Sequence, residues 1–98
     1  MELKVFTLPT CPVCSVAKTI VAEVAQKFGI AFKEVDMATE EGLKEGLAYQ
    51  IMSTPSIIIG DEVIVKGRLI SKEKLEEEVK KRIEKWKERT AQSGGLYL

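Results

Sequence analysis

The spacing of apolar residues changes repeatedly along this chain, and each change marks an element. From Glu2 to Leu8 the side chains alternate, with Leu3, Val5 and Thr7 on one side of an extended strand and Lys4, Phe6 and Leu8 on the other. Both sides are largely apolar, the pattern of a central strand covered on two faces. From Pro12 the period becomes helical: Val13, Val16, Ala17, Ile20, Val21, Val24, Ala25 and Phe28 recur at steps of three and four. Gly29 follows as a helix stop. Ala31 to Asp36 alternates weakly and carries charge on both faces, so it reads as a strand near a sheet edge. Strand, helix and strand in this order make a βαβ unit with parallel strands and a right-handed crossover.

The second half is shorter in its rhythms. Thr39 is placed to cap a helix whose apolar stripe is Leu43, Leu47 and Ile51, with Gly42 and Gly46 weakening it. Ser56 to Ile59 is a short apolar strand, Gly60 and Asp61 fit a tight hairpin turn, and Glu62 to Lys66 returns as the partner strand. Ser71 caps a long last helix with Leu75, Val79, Ile83 and Trp86 on one side. Glu76 with Lys80, Glu77 with Lys81, and Glu78 with Arg82 set acid before base at i,i+4. Residues 1–91 therefore form one α/β domain, and 92–98, with its two glycines, reads as a flexible tail.

Composition narrows the function classes. Ninety-eight residues, 45% of them hydrophobic, suffice for one domain with a modest core. Fifteen basic and fifteen acidic residues cancel, so neither nucleic acid nor a membrane surface is an expected partner. The opening MELKVFTL lacks the layout of a signal peptide, and no apolar run approaches the ~18 residues that span a bilayer. The expectation is a cytoplasmic protein. In that reducing compartment a CxxC pair is more often catalytic or metal-binding than a permanent staple.

Both cysteines stand in TLPTCPVC, between the first strand and the first helix. This is the carboxyl end of a parallel pair, where open α/β sheets place their chemistry. Cys11 at the helix N-cap would face the free amides of the first turn and the positive end of the helix dipole. Both favour a thiolate, which is the attacking species in disulfide exchange. Pro12 suits the first helical position, and Cys14, one turn along, is close enough to bond with Cys11. A structural disulfide across so short a loop would contribute only ~2 kcal/mol. A closed zinc site needs four ligands, whereas the chain has two cysteines and no histidine, so metal binding would require a dimer or external thiols.

LPTCPVC after an opening strand, together with STPSIIIG before a hairpin and a last helix, resembles the glutaredoxin and thioredoxin-like oxidoreductases over roughly residues 2–88. The resemblance implies the thioredoxin fold, a four-stranded mixed sheet flanked by three helices. It also implies a cis peptide bond before Pro55, with Thr54 and Pro55 aligning an extended substrate segment beside Cys11. The implied activity is thiol–disulfide exchange by Cys11 and Cys14, tuned by Pro12 and Val13, with no cofactor and no metal. The implied partners are protein disulfides and a reductase or small-thiol electron donor, and the expected state is a monomer. Glutathione stays an open question: Leu8, Val13 and Leu69 stand where glutaredoxins carry a lysine, a tyrosine and an acid. Thioredoxins have a buried aspartate and a tryptophan where Val5 and Thr10 stand here. Without that acid, proton transfer at Cys14 is left to water or to the Cys11 thiolate.

Two rival readings use the same residues: an iron–sulfur or zinc site bridging a dimeric scaffold, and a non-catalytic binding module on the same fold. Elsewhere the sequence suggests plain structural uses. Lys18 reads as a solvated lysine, Ile51, Met52 and Trp86 as core, and Glu34 and Asp36 as a solvated strand edge.

Overall fold

The computed structural model describes the backbone of residues 2–96 and the side chains of residues 2–85. The elements run β1 (Glu2–Thr7), α1 (Cys14–Phe28), β2 (Ala31–Asp36), α2 (Glu40–Ala48), β3 (Ser56–Ile59), β4 (Glu62–Val65) and α3 (Lys72–Leu96). The strands form one mixed sheet in the order β2-β1-β3-β4. β1 pairs with β2 in parallel, Glu2 opposite Ala31 through Thr7 opposite Asp36. β3 runs antiparallel to both β1 and β4. This is the four-stranded, three-helix arrangement expected. The Thr54–Pro55 peptide bond is cis. Trp86, expected to be a core anchor, lies outside the residues whose side chains are described; of the tail expected to be loose over 92–98, residues 92–96 continue α3 and 97–98 lie outside the described residues.

The alternation of β1 sorts the core into two layers. Leu3 and Val5 face a cluster that takes Ala17, Val21, Val24 and Ala25 from α1 and Leu75 and Val79 from α3. Phe6 faces the opposite cluster with Val35, Met37, Ile51 and Ile58, on the side covered by α2. Burying each of these aliphatic side chains contributes about 1.5–3 kcal/mol, so the sheet is held from both faces. β2 is an edge strand, and only Val35 of its residues is buried. Gly29 ends α1 in the left-handed conformation at φ 64, its amide reaching back to the last turn. Gly60 takes φ 58 at the β3–β4 turn.

Three local expectations are corrected. α2 does not bury Leu43 and Leu47, which are 45% and 50% exposed. Its buried positions are Gly42 and Gly46. The helix lies close over the sheet: a Cβ on Gly42 would run into the backbone carbonyl of Asp36, and one on Gly46 would come within 2.7 Å of Met37 Cε. The glycines set the approach distance, and the leucines are left outside. Met52 is 85% exposed and is not core, whereas its neighbour Ile51 is fully buried. Glu76 bridges to Lys27 of α1 at 3.0 Å instead of pairing with Lys80, because its face of α3 is turned toward α1. Glu77–Lys81 and Glu78–Arg82 form as the i,i+4 pattern predicts, at 3.5 and 3.1 Å.

Candidate active site

The chain leaves the sheet at Thr7 and turns back on itself before α1 begins. The Cys11 amide donates to the Leu8 carbonyl at 3.0 Å, closing a turn over Pro9 and Thr10. Pro12 and Val13 form a second turn, and the helix starts at Cys14. Cys11 is therefore not the N-cap residue. That position belongs to Val13, at φ −103 and ψ 0, and Pro12 precedes the helix instead of opening it. The first helical hydrogen bond runs from the Ala17 amide to the Val13 carbonyl at 3.0 Å.

The sulfur of Cys11 nevertheless lies beside the first turn, because it is bonded to the sulfur of Cys14, with the two Cα atoms 5.4 Å apart. The helix has no side-chain cap at its N-terminus and no acidic residue in its first turn. The sulfur pair thus sits at the positive end of the α1 dipole, and the first turn of the helix carries no carboxylate to offset it. The two cysteines differ in burial. Cys14 is buried, at 5% exposure, and Cys11 is half-buried. Val13 and Val16, expected on the core face of α1, stand 38% and 49% exposed beside them.

A cleft of about 290 Å³ opens next to the pair, and Cys11 and Cys14 both line it. Its other walls come from the end of β1 (Thr7), from α1 (Ser15, Lys18) and from the end of β2 (Glu34, Asp36). The Thr7 hydroxyl, almost fully buried, donates to Glu34 Oε2 at 3.0 Å. Lys18 Nζ lies 3.6 Å from Glu34 Oε1. The sequence reading of Glu34 and Asp36 as a plain solvated edge is incomplete, since both residues also line the cysteine cleft. The missing signal was the parallel pairing itself, which sets Glu34 opposite Val5 and Asp36 opposite Thr7.

Thr54 and Pro55 do not line this cleft. They enter the sheet at the same end, since Ser56 pairs with Phe6 and β3 runs antiparallel to β1. Their loop is fixed by Ser56, a fully buried residue that the sequence reading left as ordinary strand. Its hydroxyl donates to the Ser53 carbonyl at 2.7 Å and accepts from the Gly67 amide at 3.0 Å. Arg68 closes the far side, donating its amide to the Pro55 carbonyl at 3.1 Å. Pro55 is buried and Thr54 half-buried.

Known proteins give the same pattern. Residues 1–80 match the family described as "Thioredoxin domain". The chain is 38% identical over 65 residues to a probable thioredoxin of Archaeoglobus fulgidus, spanning 66% of this chain and 71% of that protein. It is 35% identical over 83 residues to a thioredoxin of Methanocaldococcus jannaschii, spanning 85% of this chain and 96% of that protein. Among solved structures, thioredoxin 1 of Thermosipho africanus superposes with a TM-score of 0.70 at 20% identity, over 86% of this chain and 96% of that one, which speaks to the fold. With a CxxC disulfide at the end of the first strand and a family match across most of its length, the chain belongs to the thioredoxin family of thiol–disulfide oxidoreductases.

Proposed function

We propose that the protein reduces or oxidises protein disulfides by a dithiol cycle in which Cys11 attacks and Cys14 resolves. The observation that carries this reading is the unequal burial of two bonded cysteines, Cys11 half-buried and Cys14 at 5% exposure. An external disulfide reaches the first and not the second. The amides at the start of α1 favour the Cys11 thiolate, and a thiolate is the nucleophile in disulfide exchange. Once Cys11 carries a mixed disulfide, Cys14 is held at bonding distance and needs no diffusion to displace the substrate.

Polypeptide substrates suit the surroundings. Val13, Val16 and Met52 are exposed apolar side chains at 38%, 49% and 85%, and Val13 and Val16 flank Cys14 in the chain. Pro12 and Val13 tune the pair by fixing the turn between the sulfurs. Thr54 and Pro55 supply backbone at the same end of the sheet for an extended segment to align against. The electrons are stored in the cysteines, a reductase or small thiol replenishes them, and the cycle needs no organic cofactor. We assign the protein to the cytoplasm, acting as a monomer. No helix among the described residues is long and apolar enough to cross a membrane.

Serine substitutions test the roles. Cys14→Ser exposed to a disulfide-containing protein accumulates a covalent adduct that dithiothreitol releases, and Cys11→Ser forms none. Equal behaviour of the two variants overturns the assignment. A stoichiometric metal held between two chains by these cysteines would replace the reading with a scaffold role.

A further inference from the structure

The dithiol cycle requires a proton to leave Cys14 before it can attack, and its burial disfavours the thiolate. The sequence leaves that proton to water or to the Cys11 thiolate. The structure offers a carboxylate. The charged groups facing the cleft are Lys18 from α1 and Glu34 and Asp36 from β2. β1 contributes the uncharged Thr7. Asp36 is engaged in the turn that leads to α2, where its Oδ1 accepts the Ala38 amide at 2.8 Å. Glu34 is held over the cleft from two sides, by the Thr7 hydroxyl at 3.0 Å and the Lys18 ammonium at 3.6 Å. Thr7 is 5% exposed, so the donor that fixes the carboxylate is itself fixed.

We propose that Glu34 is the proton acceptor for Cys14 in the resolving step, with Thr7 and Lys18 as positioning residues; the inference rests on the dithiol cycle above. In that step the Cys14 thiol gives its proton across the cleft to the Glu34 carboxylate. The Cys14 thiolate attacks Cys11 Sγ, forming the Cys11–Cys14 bond and breaking the bond between Cys11 and the substrate sulfur. The substrate departs as a thiolate and takes a proton from Glu34 or solvent. Over the full cycle the substrate disulfide gains two electrons and two protons, and the two cysteines lose them. Lys18 offsets the charge of Glu34 while it waits as the carboxylate, and the proton then arrives on a group held in place at the cleft that both cysteines line.

The two steps separate in one trace. Reduced protein is mixed with an aromatic disulfide whose released thiolate is coloured: the first equivalent reports attack by Cys11, the second reports resolution by Cys14. Glu34→Gln slows the second release on the order of a hundredfold, the lower range of what positioned proton transfer contributes, and changes the first far less. The wild-type second phase falls in acid as the carboxylate is protonated. Glu34→Gln loses that acid limb and depends only on ionisation of the thiol. Glu34→Asp recovers part of the rate and restores the limb, which a merely structural role would not do. A second phase in Glu34→Gln with wild-type rate and pH profile overturns the inference, as does equal slowing of both phases. Absence of the first release in the wild type points instead at the dithiol reading itself.

Discussion

Gly42 lies against the backbone carbonyl of Asp36 with no room for a methyl group between them. The contact joins α2 to the end of β2, and through Asp36 to the rim of the cysteine cleft. In a solvent-exposed helix, replacing glycine by alanine stabilises by about 1 kcal/mol. Here the sign reverses. Gly42→Ala is expected to destabilise by about 1–3 kcal/mol, the cost of forcing extra atoms into a packed site, because the obstruction is backbone and cannot swing away. Urea unfolding of the two proteins measures it, and a stabilised Gly42→Ala would show that α2 does not sit on its glycines.

The polar face of the same helix is tied to the central strand. Lys4 donates to Glu45 Oε2 at 2.6 Å, with its side chain only 17% exposed. The hydrogen bond to Glu45, aided by that carboxylate's charge and opposed by burial, raises the Lys4 pKa above the usual 10.5. A raised folded-state value means that the stabilisation is fully present below pH 10.5 and is lost as pH rises through the raised value. Lys4→Met keeps the apolar stem and removes the charge. It is expected to cost about 1 kcal/mol near neutrality, and the gap to wild type should close in strongly alkaline solution. Denaturation midpoints across pH check both statements.

Ser56 holds the loop that carries Thr54 and Pro55. Its hydroxyl, on a fully buried residue, satisfies one carbonyl and one amide. Ser56→Ala leaves both without that partner and is expected to cost about 1–3 kcal/mol. Faster amide exchange at Gly67 is the local sign to look for. An unchanged exchange rate there would mean that the loop is held by other contacts, such as the Arg68 amide on the Pro55 carbonyl.

Much of this was legible in the sequence because the strongest signals are periodic. β1 shows both faces apolar and proves to be covered on both, and β2 shows charge on both faces and proves to be an edge. The errors came where period alone ranks residues. Leu43 and Leu47 looked like the buried stripe of α2 because they are large and apolar, but close approach to a sheet selects for small residues, and Gly42 and Gly46 took the inner face. Val13 and Val16 fit the helical period yet remain exposed, because Cys14 and Ala17 take the buried face at the start of α1. Met52 was read as core beside Ile51, although only one of two neighbours in a loop can point inward.

At the site, both cysteines were evident from spacing, but their neighbours were not. Glu34 stands 20 residues after Cys14 in the chain and reaches the cleft only through the pairing of β2 with β1. Thr7, counted as one more inward strand position, turns out to hold that carboxylate. Long-range register is what a single sequence does not print. The start of α1 lies later than the period suggests, because turns occupy the chain from Leu8 to Val13 before the first helical bond forms.

The account depends on the Cys11 sulfur being a better anion than an ordinary cysteine. Its most direct test is the rate of alkylation of Cys11 by iodoacetamide as a function of pH, in the folded Cys14→Ser protein. The account predicts a single titration with its midpoint below the ~8.5 of free cysteine. A midpoint at or above that value, or a Cys11 that reacts only after unfolding, would contradict it.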